Sequence, residues 1–167
     1  MIRKALVSDY CRLAEIHVFG WRCAYKDFIP IEYLINKMIV KFREDKWHKI
    51  LTEIDDSNKT YVYEENNIIK GIMTIGDCRD EYRTDKTFEL WSLYIDPLFQ
   101  RKNIGMKFME FCKKEAKNKG KQEIVLWVFE KNINAIKFYT KIGYIFDGRK
   151  NFLNEINENE LRFKLKI

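Results

Sequence analysis

The stretch Leu93–Phe111, LYIDPLFQRKNIGMKFMEF, constrains the fold of this chain more than any other. An apolar run of β type stops at Asp96-Pro97, a loop carrying Gln100, Arg101, Lys102, Asn103 and Gly105 follows, and an amphipathic helix starts directly after it. That order presents the free amide N–H groups of a helical first turn at the end of a strand. With the positive end of the helix dipole, they make a ready phosphate site. Arg101 and Lys102 stand beside it. The stock phosphate loops G-x-x-x-x-G-K-[ST] and G-x-G-x-x-G are absent, so another kind of anion loop is indicated.

On the N-terminal side, Ile2–Leu6 reads as a short strand, and Ser8 or Asp9 as the cap of a helix with Leu13, Ile16 and His17 on one face. The segment FGWRCAYKDFIP, ending at Pro30, is dense in aromatic residues. Apolar positions from Tyr33 to Leu51 predict one or two helices over 31–54. Thr60–Glu64 and Ile68–Ile75 predict a hairpin around Glu65-Asn66-Asn67. The charged segment Asp77–Lys86 reads as a solvated loop, and Thr87–Ile95 as the strand that feeds the central stretch.

After that stretch the helix runs to a Lys119-Gly120 stop with Phe108, Phe111, Cys112 and Ala116 on its apolar face. Ile124–Phe129 is apolar at alternate and intervening positions alike, which predicts a strand buried on both faces near the middle of a sheet. A turn through Asn132 and Asn134 leads to a short helix ended by Gly143. Strands Tyr144–Arg149 and Glu160–Leu165, with a polar loop over Asn151–Asn159, predict an antiparallel hairpin at the sheet edge. The fold class is α/β (α+β): a mixed, mostly antiparallel twisted sheet of about six to seven strands flanked by helices.

With 167 residues, 46% of them hydrophobic, and only two prolines and seven glycines, the chain fits one domain over 1–167 with no linker. No apolar run approaches the roughly 20 residues of a membrane span, and the first residues lack a secretory apolar block, so a cytoplasmic, membrane-free protein is expected. Cys11, Cys23, Cys78 and Cys112 are scattered without a C-x-x-C pair, so no metal site is expected. His17 and His48 lie near no plausible nucleophile in sequence. The net charge of +6 suits a polyanionic ligand. Lys113, Lys114, Lys117, Lys119 and Lys121 would be the stripe of a nucleic-acid binder, but alternating charges on a solvated helix account for them, and no nucleic-acid partner is expected.

The loop Gln100–Gly105, Q-x-x-N-x-G, resembles the Q/R-x-x-G-x-G/A signature of the GCN5-related N-acetyltransferases (GNAT), with Asn103 in place of the first glycine. Asn is the non-glycine residue most willing to take positive φ, so the departure is mild. A second stretch resembles the same family: after the apolar strand come N-x-x-A and F-Y-x-K-x-G-Y, matched at Asn132, Ala135, Phe138, Tyr139, Lys141, Gly143 and Tyr144. The element order is similar to the family's over essentially the whole chain.

The resemblance implies an acetyl-CoA-dependent acyltransferase moving an acetyl group to a primary amine, with acetyl-CoA (coenzyme A) as co-substrate. It implies that Leu93, Tyr94 and Ile95 pair with the pantetheine arm and offer N–H groups to the oxyanion. Gln100, Arg101, Lys102, Asn103, Ile104, Gly105 and Met106 would hold the pyrophosphate, and Asn132 would meet the pantetheine. It places Tyr139 where the family's tyrosine protonates the departing thiolate. An alkylamine with a pKa near 10.4 is neutral at pH 7 in only about one molecule in a few thousand, so a base is useful. Glu89 stands where relatives commonly carry that base, and its apolar surroundings, FELWSLYI, predict a pKa raised by desolvation.

Trp21, Tyr25, Phe28 and Trp91 are expected to line the acceptor pocket, with core packing as the plainer alternative. A small-molecule amine is the expected acceptor, attacking directly in a ternary complex because no Cys or Ser stands in a nucleophile motif. Two alternatives stay open: a non-catalytic acetyl-CoA-binding or sensing domain, and an acetyltransferase of protein N-terminal amines. A homodimer is a family tendency.

Overall fold

Asn66 and Asn67 both take positive φ, 55° and 60°, and close a two-residue hairpin between β2 (Asn58–Glu65) and β3 (Ile68–Asp77). In the computed structural model, which describes residues 1–53 and 58–167, this hairpin belongs to a seven-stranded sheet. Its strands lie side by side in the order β1 (Ile2–Lys4), β2, β3, β4 (Thr87–Ile95), β5 (Glu123–Phe129), β7 (Glu158–Lys166) and β6 (Ile145–Leu153). The β4/β5 pair is parallel, and every other adjacent pair is antiparallel. The crossover that a parallel pair requires is α4 (Ile104–Asn118).

The sheet separates two layers of helices, and side-chain alternation sorts the core between them. Tyr61, Tyr63 and Met73 pack toward α4 and α5 (Ile133–Lys141), with Phe108, Met109, Cys112 and Leu126. Their neighbours Val62 and Ile72 pack with Leu13, Ala14, Ile16 and Trp47 of α1 (Tyr10–Tyr25) and α3 (Val40–Thr52). Between these two helices, α2 (Ile31–Asn36) brings Leu34 into a third cluster with Val18, Met38 and Phe129. The predicted helical region 31–54 is thus two helices, and its last residue, Ile54, lies outside the described residues.

β4 changes parity midway. Thr74 pairs with Ser92 and Ile75 with Leu90, so Trp91 is the extra residue of a β-bulge. Phe88 and Leu90 face α4 before it, and Leu93 and Ile95 face α4 after it, while Tyr94 packs toward α1.

Three local expectations are corrected. Neither Ser8 nor Asp9 caps α1 with its side chain; Asp9 accepts instead from the Leu6 amide at 2.8 Å and pairs with Arg3 at 2.7 Å. The C-terminal strands run longer than predicted, leaving only 154–157 between them, and β7 sits inside the sheet with β6 alone at the edge. The polar-looking Asp147–Arg149 segment forms a bulge around Gly148 (φ 88°), and Asp147 turns inward to pair with the buried Arg162. Finally, the charged loop after β3 is docked as well as solvated: Asp80 binds Arg162 at 2.6 Å, and Tyr82 lies under the Arg149 guanidinium at 4.2 Å. Among the described residues no helix is long and apolar enough to cross a membrane.

Candidate active site

β4 and β5 pair over only three positions, Thr87–Glu89 against Glu123–Val125, and then separate. From Leu90 onward the β5 side of β4 has no strand partner among the described residues, because β5 is held by β7 and β4 by β3. The gap is a cavity of about 260 Å³. Leu93, Tyr94, Asn132 and Tyr139 line it, so the two sequence stretches singled out above converge on one place. A separate hollow of about 320 Å³, lined by Asp77, Cys78, Arg83 and Lys121, sits at the opposite end of β4.

The loop after β4 is shaped by its own hydrogen bonds. Asp96 accepts from the Leu98 amide at 2.9 Å to set a 3₁₀ turn over Pro97–Phe99, and Arg12 of α1 pairs with Asp96. Gln100 donates to the Ile95 carbonyl at 3.3 Å. Arg101 and Asn103 both take positive φ, 58° and 63°, which turns the chain into α4 with Asn103 at the N-cap. Asn103 therefore does what the missing glycine would do, and Arg101 adopts the same region without a sequence signal for it. The Asn103 side chain does not cap the helix, which leaves the first-turn amides of Ile104, Gly105 and Met106 free of a capping side chain. Arg101 and Lys102 are exposed beside them, Lys102 with its Nζ 5.1 Å from the Phe99 ring. Gly105 has a packing reason: a Cβ there would lie 3.1 Å from Cζ of Phe138, so the glycine lets α4 and α5 touch.

Asn132 is the N-cap of α5, its Oδ1 accepting from the Ala135 amide at 3.2 Å. That leaves its amide nitrogen available to the cavity. Tyr139 is more buried than its neighbour Phe138, 9% exposed, yet it forms part of the cavity floor. Burial and the neighbouring Tyr94 and Cys112 push its phenol well above the ordinary range, so it stays protonated.

Of the residues expected to line an acceptor pocket, Trp21, Tyr25 and Trp91 line this cavity, and Phe28 does not. Phe28 packs 5.9 Å from Phe129 in the core behind the cavity. Trp21 donates from Nε1 to the Tyr94 hydroxyl at 3.0 Å, and Trp91 donates to the Asp77 carbonyl at 3.1 Å.

Glu89 is buried, 2% exposed, but its surroundings correct the expected apolar pocket. Arg79 holds it from three sides: Nη2 reaches Oε1 at 2.5 Å, Nε reaches Oε1 at 3.2 Å, and the backbone amide reaches Oε2 at 2.8 Å. The guanidinium also stacks on Trp91 at 3.9 Å. The carboxylate lining the cavity is another one, Glu160 of β7, which faces Phe129 across the β5/β7 pair. Burial raises its pKa against the opposing pull of Asn151 and Arg79. Only the cross-strand register brings Glu160 to the site, and no local motif signals it.

An amide-rich helix start at the mouth of a splayed parallel strand pair, with an aromatic cavity opening from the split, defines an acyltransferase fold of the coenzyme-binding kind. The chain belongs to the Acetyltransferase (GNAT) family, whose model matches residues 21–144, and it is an acetyl-CoA-dependent acetyltransferase. It is similar to the uncharacterized N-acetyltransferase YuaI of Bacillus subtilis, 28% identical over 138 residues, 83% of this chain and 76% of that one. It is also similar to a spermidine N(1)-acetyltransferase of Thermoplasma acidophilum, 27% identical over 143 residues, 86% of each chain. Among solved structures, the PaiA N-acetyltransferase of Thermoplasma acidophilum in complex with coenzyme A superposes with a TM-score of 0.82 at 20% identity, covering 100% of this chain and 98% of that one.

Proposed function

We propose that this protein moves the acetyl group of acetyl-CoA to a primary amine of a small molecule, by direct attack while both are bound. The observation that carries this reading is the cavity itself, which joins the β4 edge left unpaired by β5 to aromatic walls from α1 and β5. Support for a small cationic acceptor comes from Trp21, Tyr25 and Phe129, aromatic rings of the cavity lining and of a kind that attracts an alkylammonium, and from the likeness to a spermidine acetyltransferase.

In this reading the coenzyme supplies an activated acetyl thioester, and the chain supplies position and charge. Amides of Ile104–Met106, with Arg101 and Lys102, hold the pyrophosphate; the free main-chain edge of Leu93–Ile95 orients the arm and meets the negative charge that develops on the acetyl oxygen. Tyr139, held protonated by burial, donates to the departing sulfur. Transfer from so weak an acid would be uphill in water. Within the same cavity the thiolate is desolvated too, which raises its own basicity.

The test is thiol release from acetyl-CoA in the presence of an amine panel led by spermidine, with the acetylated product identified by mass. Acetyl-CoA binding in calorimetry without release for any amine would defeat the catalytic reading.

A further inference from the structure

We propose that Glu160, and not Glu89, is the carboxylate that meets the acceptor ammonium and takes its proton. The inference rests on the reading above that the chain acetylates a small amine in the β4/β5 cavity. It starts from where the two carboxylates point and what already holds them.

Glu89 is spoken for. Hydrogen bonds from the Arg79 backbone amide, Nε and Nη2 occupy both of its oxygens, and the Arg79 guanidinium itself stacks on the Trp91 ring. Both oxygens of Glu89 are already engaged, so an incoming ammonium would have to compete with the guanidinium for them. Glu89 does not line the cavity.

Glu160 does line it, together with Trp21, Tyr25, Tyr94 and Phe129. The cations on the elements around Glu160 are committed elsewhere: Arg79 to Glu89, Arg162 to Asp80 and Asp147, Lys131 to Glu158 and Lys150 to Glu130. Of the titratable groups that feel its charge, Glu89 raises its pKa and Arg79 lowers it, while Tyr25 and Tyr94 are neutral phenols whose ionisation its charge further opposes. Arg79 is itself ion-paired with Glu89, so Glu160 is a largely desolvated carboxylate facing a cavity of aromatic rings with no ion-pair partner among the described residues. A bound alkylammonium supplies that partner.

The proton balance closes. The ammonium gives one proton to a Glu160 oxygen, leaving a neutral amine. Its lone pair forms the C–N bond as the C–S bond breaks, and Tyr139 gives the sulfur a proton. The second amine proton restores the Tyr139 phenol, and Glu160 releases its own proton to solvent.

The experiment is the pH profile of kcat/KM for spermidine between about pH 6 and 9.5, with wild type, Glu160→Gln, Glu160→Asp and Glu89→Gln. Wild type should be nearly flat above pH 7, because it binds the abundant ammonium and deprotonates it in place. Glu160→Gln should depend on amine that is already neutral, rising about tenfold per pH unit with a deficit on the order of 10² at pH 7 that shrinks toward pH 9.5. Glu160→Asp should recover part of the flat region, and Glu89→Gln should keep the wild-type shape at whatever rate it shows. Parallel profiles for wild type and Glu160→Gln, or a slope gained by Glu89→Gln instead, would overturn the assignment while leaving the acetyltransferase reading intact. If wild type releases no thiol with any amine, both fall together. Calorimetric binding of acetyl-CoA to each variant separates a lost proton acceptor from a lost fold.

Discussion

His17 should make the fold sensitive to mild acid. It lies on the buried side of α1, stacked on Tyr94 with ring centres 4.5 Å apart and edge-on to Trp47 at 6.0 Å. Its Nδ1 is buried and has no hydrogen-bond partner among the described residues. Burial, reinforced by Arg43 and Lys46 of α3, lowers its pKa from 6.5 to about 3. A base whose folded pKa is depressed contributes full stability above its unfolded pKa and loses it as the pH falls. Here the window opens at 6.5 and runs down toward 3. Each pH unit below 6.5 costs about 1.4 kcal/mol, so at pH 4.5 the penalty is about 2.7 kcal/mol, a sizeable share of the 5–15 kcal/mol typical of a domain. Replacing His17 with Phe keeps a stacking ring and removes the proton. Urea unfolding of both proteins at pH 7 and pH 4.5 isolates the residue, because every other titrating group cancels in the difference. His17→Phe should gain about 2–3 kcal/mol relative to wild type between the two conditions. A difference constant with pH would refute the reasoning and mean that water reaches the imidazole.

The remaining predictions bear on the site and its frame. Tyr139→Phe should lower kcat by a factor on the order of 10² while acetyl-CoA affinity in calorimetry stays close to wild type; lost affinity would point to a packing role instead. Gly105→Ala forces a methyl to 3.1 Å from Phe138, so it should cost about 1–3 kcal/mol in unfolding and weaken coenzyme binding by shifting the α4 start; an unchanged Kd would separate the glycine from the anion site. Arg162→Met should cost about 3–5 kcal/mol in denaturant unfolding, because it leaves Asp147 and Asp80 without their shared guanidinium, and a loss below about 1 kcal/mol would show that these charges are hydrated.

The parts of this molecule that local chemistry dictates were readable from its residues. Asn66-Asn67 announced a hairpin because few other pairs accept two positive φ values, and Ile124–Phe129 announced a central strand because nothing in it is fit for water. Asn103 was readable for the same reason as Asn66. What escaped was whatever depends on a distant partner. The charged Asp77–Lys86 segment looked solvated because Arg162, the residue that receives Asp80, lies 82 positions away. Glu89 looked like a carboxylate in an apolar run because a strand pattern does not reveal that Arg79 folds back onto it. Phe28 and Trp91 looked alike, one ring turning to the core and the other lifted by a bulge into the cleft. Glu160 was hidden most completely: its neighbours Asn159 and Leu161 carry no signature, and only pairing with Phe129 turns a surface-looking strand position into a wall of the site.

The charged loop after β3 carries one more consequence. It grows from one half of the sheet and fastens onto the other through Asp80 on Arg162 and Tyr82 beneath Arg149, close to where the three-pair seam of β4 and β5 holds shut. The two halves of the sheet are therefore tied together at one end of the seam and stand apart at the other. Asp80 and Arg162, which make that tie, lie outside the cavity lining, so the spacing of the cavity walls depends in part on residues that do not line it.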